Sequence, residues 1–189
     1  MSPESVWRAG LEVAGPEGTR ALGARLARLL RAGDLVLLSG ALGAGKTTLA
    51  QGIGSAMGVR GRISSPTFVI ARVHPALGDG PDLIHVDAYR VASLERAVTL
   101  VEWGEEKVEA LSPDRLEIQV IRPHGAVRAE LPQPEDAPAG SVAGEPVVDL
   151  GEVDDGNRTI IVRAVGPRWA DVDLSPLGAD APCQPGAPL

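Results

Sequence analysis

The chain is short of most residues that mark a cross-linked scaffold or a specialised surface. Its single cysteine, Cys183, excludes a disulfide framework within the chain and a cysteine-rich zinc site. Aromatics make up 3% of 189 residues (Trp7, Phe68, Tyr89, Trp103, Trp169), too few for a platform on which single-stranded bases stack. The longest purely aliphatic run is residues 35–38, against the roughly 20 residues of a membrane helix. The first residues, Met1-Ser2-Pro3-Glu4-Ser5, lack the basic and apolar regions of a secretory signal, so a cytoplasmic protein without membrane contact is expected. Positive charge is scarce as well. Eighteen basic against 25 acidic side chains give a net charge of −7, which argues against strong direct binding to DNA or RNA. Only two of the 18 are lysines, Lys46 and Lys107.

What the chain does carry is the patterning of one ordinary globular domain, with 44% hydrophobic and 23% charged residues. Strands are predicted over 10–14, 34–39, 68–73, 83–86, 98–103, 115–121 and 159–165. Residues 35–38 are continuously apolar, as in a strand buried on both faces, whereas 115–121 alternates and puts Leu116, Ile118 and Val120 on one face. The 68–73 and 83–86 strands are expected to pair as a hairpin. A first helix starts at Pro16, carries Leu22, Leu26, Leu29 and Leu30 as one stripe and stops at Gly33. A second spans 46–57, with Leu49, Ile53 and Met57 inward and Gly58 as its cap. Gly52 and Gly54 cost that helix about 1 kcal/mol each relative to Ala, so tertiary packing must hold it. Residues 1–165 read as one working domain, interrupted by a flexible Pro/Gly-rich insertion at about 123–156. Residues 166–189 read as a Pro/Gly-rich disordered tail.

One motif stands out. Gly40-Ala41-Leu42-Gly43-Ala44-Gly45-Lys46-Thr47-Thr48 matches G-x-x-x-x-G-K-[ST] in full, between an apolar strand and a helix. The stretch Gly40, Leu42, Gly43, Ala44 and Gly45 supplies backbone N–H groups that turn inward as an anion nest. The helix start adds its positive dipole end. Lys46 bridges the β- and γ-phosphates of a nucleotide, and the Thr47 hydroxyl, next to Thr48, is a ligand for Mg²⁺. Such a site needs a carboxylate at the end of a neighbouring apolar strand. Asp87 and Glu102 both qualify, and for one of them an ordinary strand-end role is the alternative. Glu102 is favoured for the metal, because 98–101 reads as the better buried parallel neighbour of the motif's strand; Asp87 is then left for a water or for Thr47. Ser64-Ser65-Pro66-Thr67-Phe68 either senses the γ-phosphate, as switch loops do, or is a Ser-Pro turn opening a strand; spacing leaves both open. His85 reads as a strand residue paired locally. His74 and His124 lie beside prolines, with no metal-ligand spacing between them. The chain has no Asn-Lys-x-Asp, no Leu-Ser-Gly-Gly and no Arg-rich lid, which excludes guanine-specific GTPases, transporter-type ATPases and small nucleotide kinases of the lidded kind.

The order of this motif, Ser65-Pro66-Thr67-Phe68, His85-Val86-Asp87-Ala88-Tyr89-Arg90 and Val101-Glu102-Trp103-Gly104-Glu105 resembles the bacterial TsaE (YjeE) family of P-loop ATPases. That family acts in tRNA threonylcarbamoyladenosine biosynthesis. The resemblance covers residues 11–121 and recurs at 159–169. It implies ATP and Mg²⁺ as cofactors and slow hydrolysis by the protein alone. It implies TsaD and TsaB as partners, which transfer threonylcarbamoyl to adenosine 37 of tRNAs reading codons that begin with A. It further implies that tRNA is met only through that complex. It also implies Thr47 and Glu102 on the metal, with Asp87 assisting beside Lys46. Thr67 would be switch-like, and the segment ending at Thr19 would lie near the adenine. One departure is the short stretch 91–97, where family members usually carry a longer acidic helical segment. The ten residues 88–97 fall below the dozen or so of a parallel crossover, so the strands ending at Asp87 and Glu102 are expected to be antiparallel or not adjacent.

The fold class expected is α/β: a P-loop NTPase-like mixed sheet flanked by helices, in a single domain, with nucleotide at the carboxyl end of the 34–39 strand. A P-loop small-molecule kinase and a nucleotide-dependent interaction module with weak hydrolysis are the competing readings.

Overall fold

Apolar segments of the two expected kinds, continuous and alternating, become strands of one sheet. The computed structural model describes residues 5–65, 71–87, 96–102, 112–122 and 156–178. In chain order the elements are β1 (Ser5–Val13), α1 (Gly15–Ala27), β2 (Leu35–Ser39), α2 (Lys46–Met57), β3 (Ala71–His74), β4 (Asp82–Asp87), β5 (Ala97–Glu102), β6 (Arg115–Ile121) and β7 (Arg158–Val165). Two 3-10 turns, Pro167–Trp169 and Ser175–Gly178, follow. The seven strands run in the order β1-β7-β6-β2-β5-β4-β3. β2 lies between β5 and β6, parallel to both, and β5 is parallel to β4. The outer pairings β1–β7, β6–β7 and β3–β4 are antiparallel, so the sheet is mixed. The expected α/β fold class, a P-loop NTPase-like mixed sheet with helices against it, is the one observed.

Alternation along the central strands divides their side chains between two apolar clusters. Val36, Leu38, Leu100, Leu116, Ile118, Val120, Ile160 and Val162 join Leu22 and Leu26 of α1 and Leu49 and Ile53 of α2 in the main core. Leu35, Leu37, Val86 and Val101 form a smaller cluster on the opposite face. Both helices therefore pack over the same face of the sheet. They meet through glycine: a Cβ on Gly52 would overlap the backbone of Arg20, and one on Gly23 would overlap the carbonyl of Leu49. The propensity cost of Gly52 in α2 is thus offset by a close helix–helix approach. Gly52→Ala is expected to lower unfolding stability by up to about 2 kcal/mol, because an overpacking cost of about 1–3 kcal/mol outweighs the ~1 kcal/mol gain in helix propensity. Urea denaturation measures it; an unchanged or raised midpoint would show that the helices move apart without cost.

Several expectations need correction. β1 begins five residues before the predicted 10–14, since its partner β7 pairs with it from Ser5, through a register shift between Ser5 and Trp7, as far as Val13. α1 ends at Ala27, short of Gly33. Leu29 and Leu30 instead follow in turns closed by Leu26 and Ala27 carbonyls and still pack against the core. The strands ending at Asp87 and Glu102 are adjacent and parallel, with those two residues paired in register. Residues 88–96 are enough for the return. Extended, nine residues reach about 30 Å, against about 20 Å for a six-residue strand. The tail expected from 166 onward is ordered as far as Gly178. Trp169, Leu174 and Leu177 are each 1–3% exposed and complete the main core. Arg168 donates to both carboxylate oxygens of Asp34 at 3.0 Å and lies over the Trp169 ring. Prolines and glycines concealed that anchor because here they make short 3-10 turns between buried side chains. The rest of the expected tail, 179–189 with Cys183, and the expected insertion up to residue 155, lie outside the described residues. So do Phe68, Tyr89, Arg90, Trp103 and His124. β3 covers 71–73 of the predicted 68–73, runs one residue further to His74, and pairs with β4 as the expected hairpin.

Candidate functional site

The site forms where β2 ends and α2 begins. Gly40 has φ +138° and its Cα lies so close to the Val120 carbonyl of β6 that a Cβ would overlap it. Gly45, with φ +111°, sits at the N-cap of α2 without a side-chain cap. Both positions demand glycine, and they open a loop whose far end is a helix N-terminus, the geometry of an anion nest. Lys46 is the first residue of α2. It is 5% exposed, and its ammonium donates to the carbonyls of Gly40 at 2.7 Å and Ala41 at 3.1 Å. Burial pushes the Lys46 pKa below its ordinary value, and the nearby charge of Glu102 opposes that push in part.

Lys46, Thr47, Thr48, Ser65 and Glu102 line one pocket of about 200 Å³, together with the exposed Leu42 of the loop and with Gly43 and Gly45. Ala44 is buried beneath it. Glu102 reaches this pocket because β5 is the parallel neighbour of β2, with Leu38 and Glu102 in register. A second pocket, of about 180 Å³, adjoins it at Gly45 and Thr48 and is lined by Pro16, Thr19, Gly156 and Arg158. Thr19 stands on α1, where its hydroxyl donates to the Gly15 carbonyl. Lys46, Thr47, Thr48 and Glu102 thus share one pocket, and Thr19 borders the next. The backbone of Asp87 ends β4 opposite Glu102; its side chain lies outside the described residues, as does Thr67.

Two residues of the site were not singled out by the sequence. His85 Nε2 lies 2.9 Å from Glu102 Oε1, and both side chains are almost wholly buried. The local pairing expected for His85 is instead a bond between strands. Arg158, the first residue of β7, donates from Nε to the Ala44 carbonyl at 2.7 Å and so ties the loop to a strand two places from β2 in the sheet. A period-two reading places His85 beside the end of β4, but nothing in the sequence names its partner. For Arg158 no sequence signal exists beyond its place at the start of an alternating strand.

The donor set suits a polyanion accompanied by a hard cation. An ammonium, glycine-rich backbone and a helix N-terminus face the anion, and a hydroxyl and a buried carboxylate stand within the same pocket. Among the described residues no group of three His, Cys, Asp or Glu side chains gathers as a metal cage. Mg²⁺ does not require one, since it takes one or two carboxylates together with substrate phosphates and water.

Residues 13–129 match the family described as threonylcarbamoyl adenosine biosynthesis protein TsaE. The tRNA threonylcarbamoyladenosine biosynthesis protein TsaE of Streptomyces coelicolor is 47% identical over 171 residues, covering 84% of this chain and 98% of that protein. The protein of the same name from Bacillus subtilis is 34% identical over 119 residues, covering 57% of this chain and 73% of its own length. The crystal structure of Bacillus subtilis YdiB superposes with a TM-score of 0.58 at 27% identity, covering 86% of this chain and 89% of YdiB. The pocket at the end of β2 and these relationships lead to one assignment: the chain belongs to the TsaE family of tRNA threonylcarbamoyladenosine biosynthesis.

Proposed function

We propose that the chain is a Mg²⁺-dependent ATPase acting with TsaD and TsaB, and that its hydrolysis of ATP supports threonylcarbamoylation of adenosine 37 in tRNAs reading codons that begin with A. The observation that carries this reading is the convergence of Lys46, Thr47 and Glu102 on one pocket at the carboxyl end of β2. ATP is the substrate and Mg²⁺ the cofactor. Lys46 exchanges the Gly40 and Ala41 carbonyls for phosphate oxygens. Thr47 and Glu102 hold the cation, Asp87 assists, and backbone amides of residues 40–48 bind the phosphates. Bound Mg²⁺ supplies neutralisation of charge on the β- and γ-oxygens. The neighbouring pocket at Thr19 and Arg158 takes the nucleoside end, with Thr67 as the switch residue. The expected setting is the cytoplasm, with tRNA met only through the complex and no membrane or DNA contact. No described helix is long and apolar enough to cross a membrane. The net charge of −7 also suits a protein that reaches tRNA through partners.

Phosphate release measured with and without purified TsaD and TsaB tests the proposal. The expected result is slow hydrolysis alone and stimulation by the pair, with no phosphorylated acceptor. A phosphorylated small molecule would make the protein a kinase, and tight ATP binding without turnover in the full mixture would make it an interaction module.

A further inference from the structure

We propose that His85 is a positioning residue for Glu102: its imidazole fixes the carboxylate that the pocket presents to the cation. The proposal rests on Glu102 being the cation's carboxylate. An ionised carboxylate only accepts hydrogen bonds, so His85 Nε2 carries the hydrogen and donates to Oε1 across 2.9 Å. The two residues belong to adjacent parallel strands. His85 is in register with Leu100, and Glu102 lies two residues further along β5, a diagonal neighbour on one face. Glu102 lines the pocket; among the described residues that line it, His85 is not one. Among the described residues, His85 reaches the site through Glu102.

The other ring nitrogen shows why a purely structural role explains the residue poorly. Nδ1 is buried and has no hydrogen-bond partner among the described residues. A histidine chosen to fill space would leave half its polar capacity unmet in a place where an apolar side chain costs less. The gain comes from the Nε2 side. Glu102 is 1% exposed at the end of an otherwise apolar or Thr-bearing strand, and a buried carboxylate with unrestrained rotamers is both costly and imprecise. Ligating carboxylates are themselves held by hydrogen bonds, and loss of such a bond typically weakens metal affinity 10–100-fold. Here the bond comes from a strand, an element that fixes its side chains better than a loop.

The test is a Mg²⁺ titration at saturating non-hydrolysable ATP analogue, followed by calorimetry, with analogue affinity in EDTA as control. His85→Ala is expected to raise the Mg²⁺ concentration at half-saturation 10–100-fold and to leave metal-free affinity within about twofold. His85→Gln, whose amide donates from about the position of Nε2, is expected to restore most of the loss. Should the Ala variant fail to fold, His85→Asn, which stops short of Oε1, carries the same comparison against Gln. Half-saturation unchanged in the His85 variants but raised by Glu102→Gln would overturn the role of His85 and leave that of Glu102 standing. Half-saturation unchanged by Glu102→Gln as well would overturn both. Equal loss in His85→Ala and His85→Gln would show that only packing is at stake, and would overturn the proposal too.

Discussion

Glu102→Gln is expected to retain the ATP analogue and to slow hydrolysis about 100-fold, the size typical of removing one positioned electrostatic group from a site. The substitution keeps volume and shape, and the Gln carbonyl still accepts a hydrogen bond from His85 Nε2, so the junction of β4 and β5 stays filled. What disappears is the negative charge. It opposes the fall of the Lys46 pKa, and under the proposed function it also holds the cation. Single-turnover phosphate release measures the outcome, with analogue binding in parallel. The alternative assignment has its own signature. If Asp87→Asn abolishes hydrolysis and Glu102→Gln does not, the carboxylates exchange roles. The register pairing of the two residues makes this a fair comparison, because both end their strands at the same height in the sheet.

The sequence was most informative where local chemistry determines local structure. α2 starts at Lys46 and ends at Met57 as expected, since a glycine motif opens it and Gly58 closes it in the left-handed conformation. β6 keeps its predicted limits because one face is apolar throughout. Continuous apolarity points to the parallel β2–β5 pair, which brings Glu102 into the pocket of Lys46. The sequence was least informative where the decisive contact is remote. His85 and Glu102 are 17 residues apart, and Ala44 and Arg158 are 114 apart. Neither pair has a spacing that a helix or strand period would mark. The parallel β4–β5 connection and the anchored Trp169–Leu177 segment escape a sequence reading for a related reason. Connection length and proline content are averages over many proteins, whereas the return distance and three buried apolar side chains are particular to this one.

Lys46→Ala is expected to weaken nucleotide binding a hundredfold or more. Two charge-assisted bonds to phosphate, at about 1.5–3 kcal/mol each, exceed the roughly 2.8 kcal/mol that a hundredfold change represents. Thermal unfolding reads the loss directly. Ligand at 100 times the parent's Kd stabilises the parent by about 2.7 kcal/mol, while the same concentration only equals the variant's Kd and contributes about 0.4 kcal/mol. Lys46→Arg is expected to recover little. The ammonium fits between the Gly40 and Ala41 carbonyls at 2.7 and 3.1 Å, in a position 5% exposed, and a planar five-donor fork does not fit that seat. The unliganded protein gives a second readout. Burial holds the folded ammonium below its ordinary pKa of 10.5, so between those two values the unfolded chain binds more protons than the folded one. Lys46 therefore contributes a gain in stability as pH rises through that window. Lys46→Ala removes this contribution, and its stability should climb less steeply there than the parent's. A variant that still takes a full ligand-induced shift, with the parent's pH slope intact, would move the phosphate contact away from this lysine and return the 40–48 loop to a structural turn.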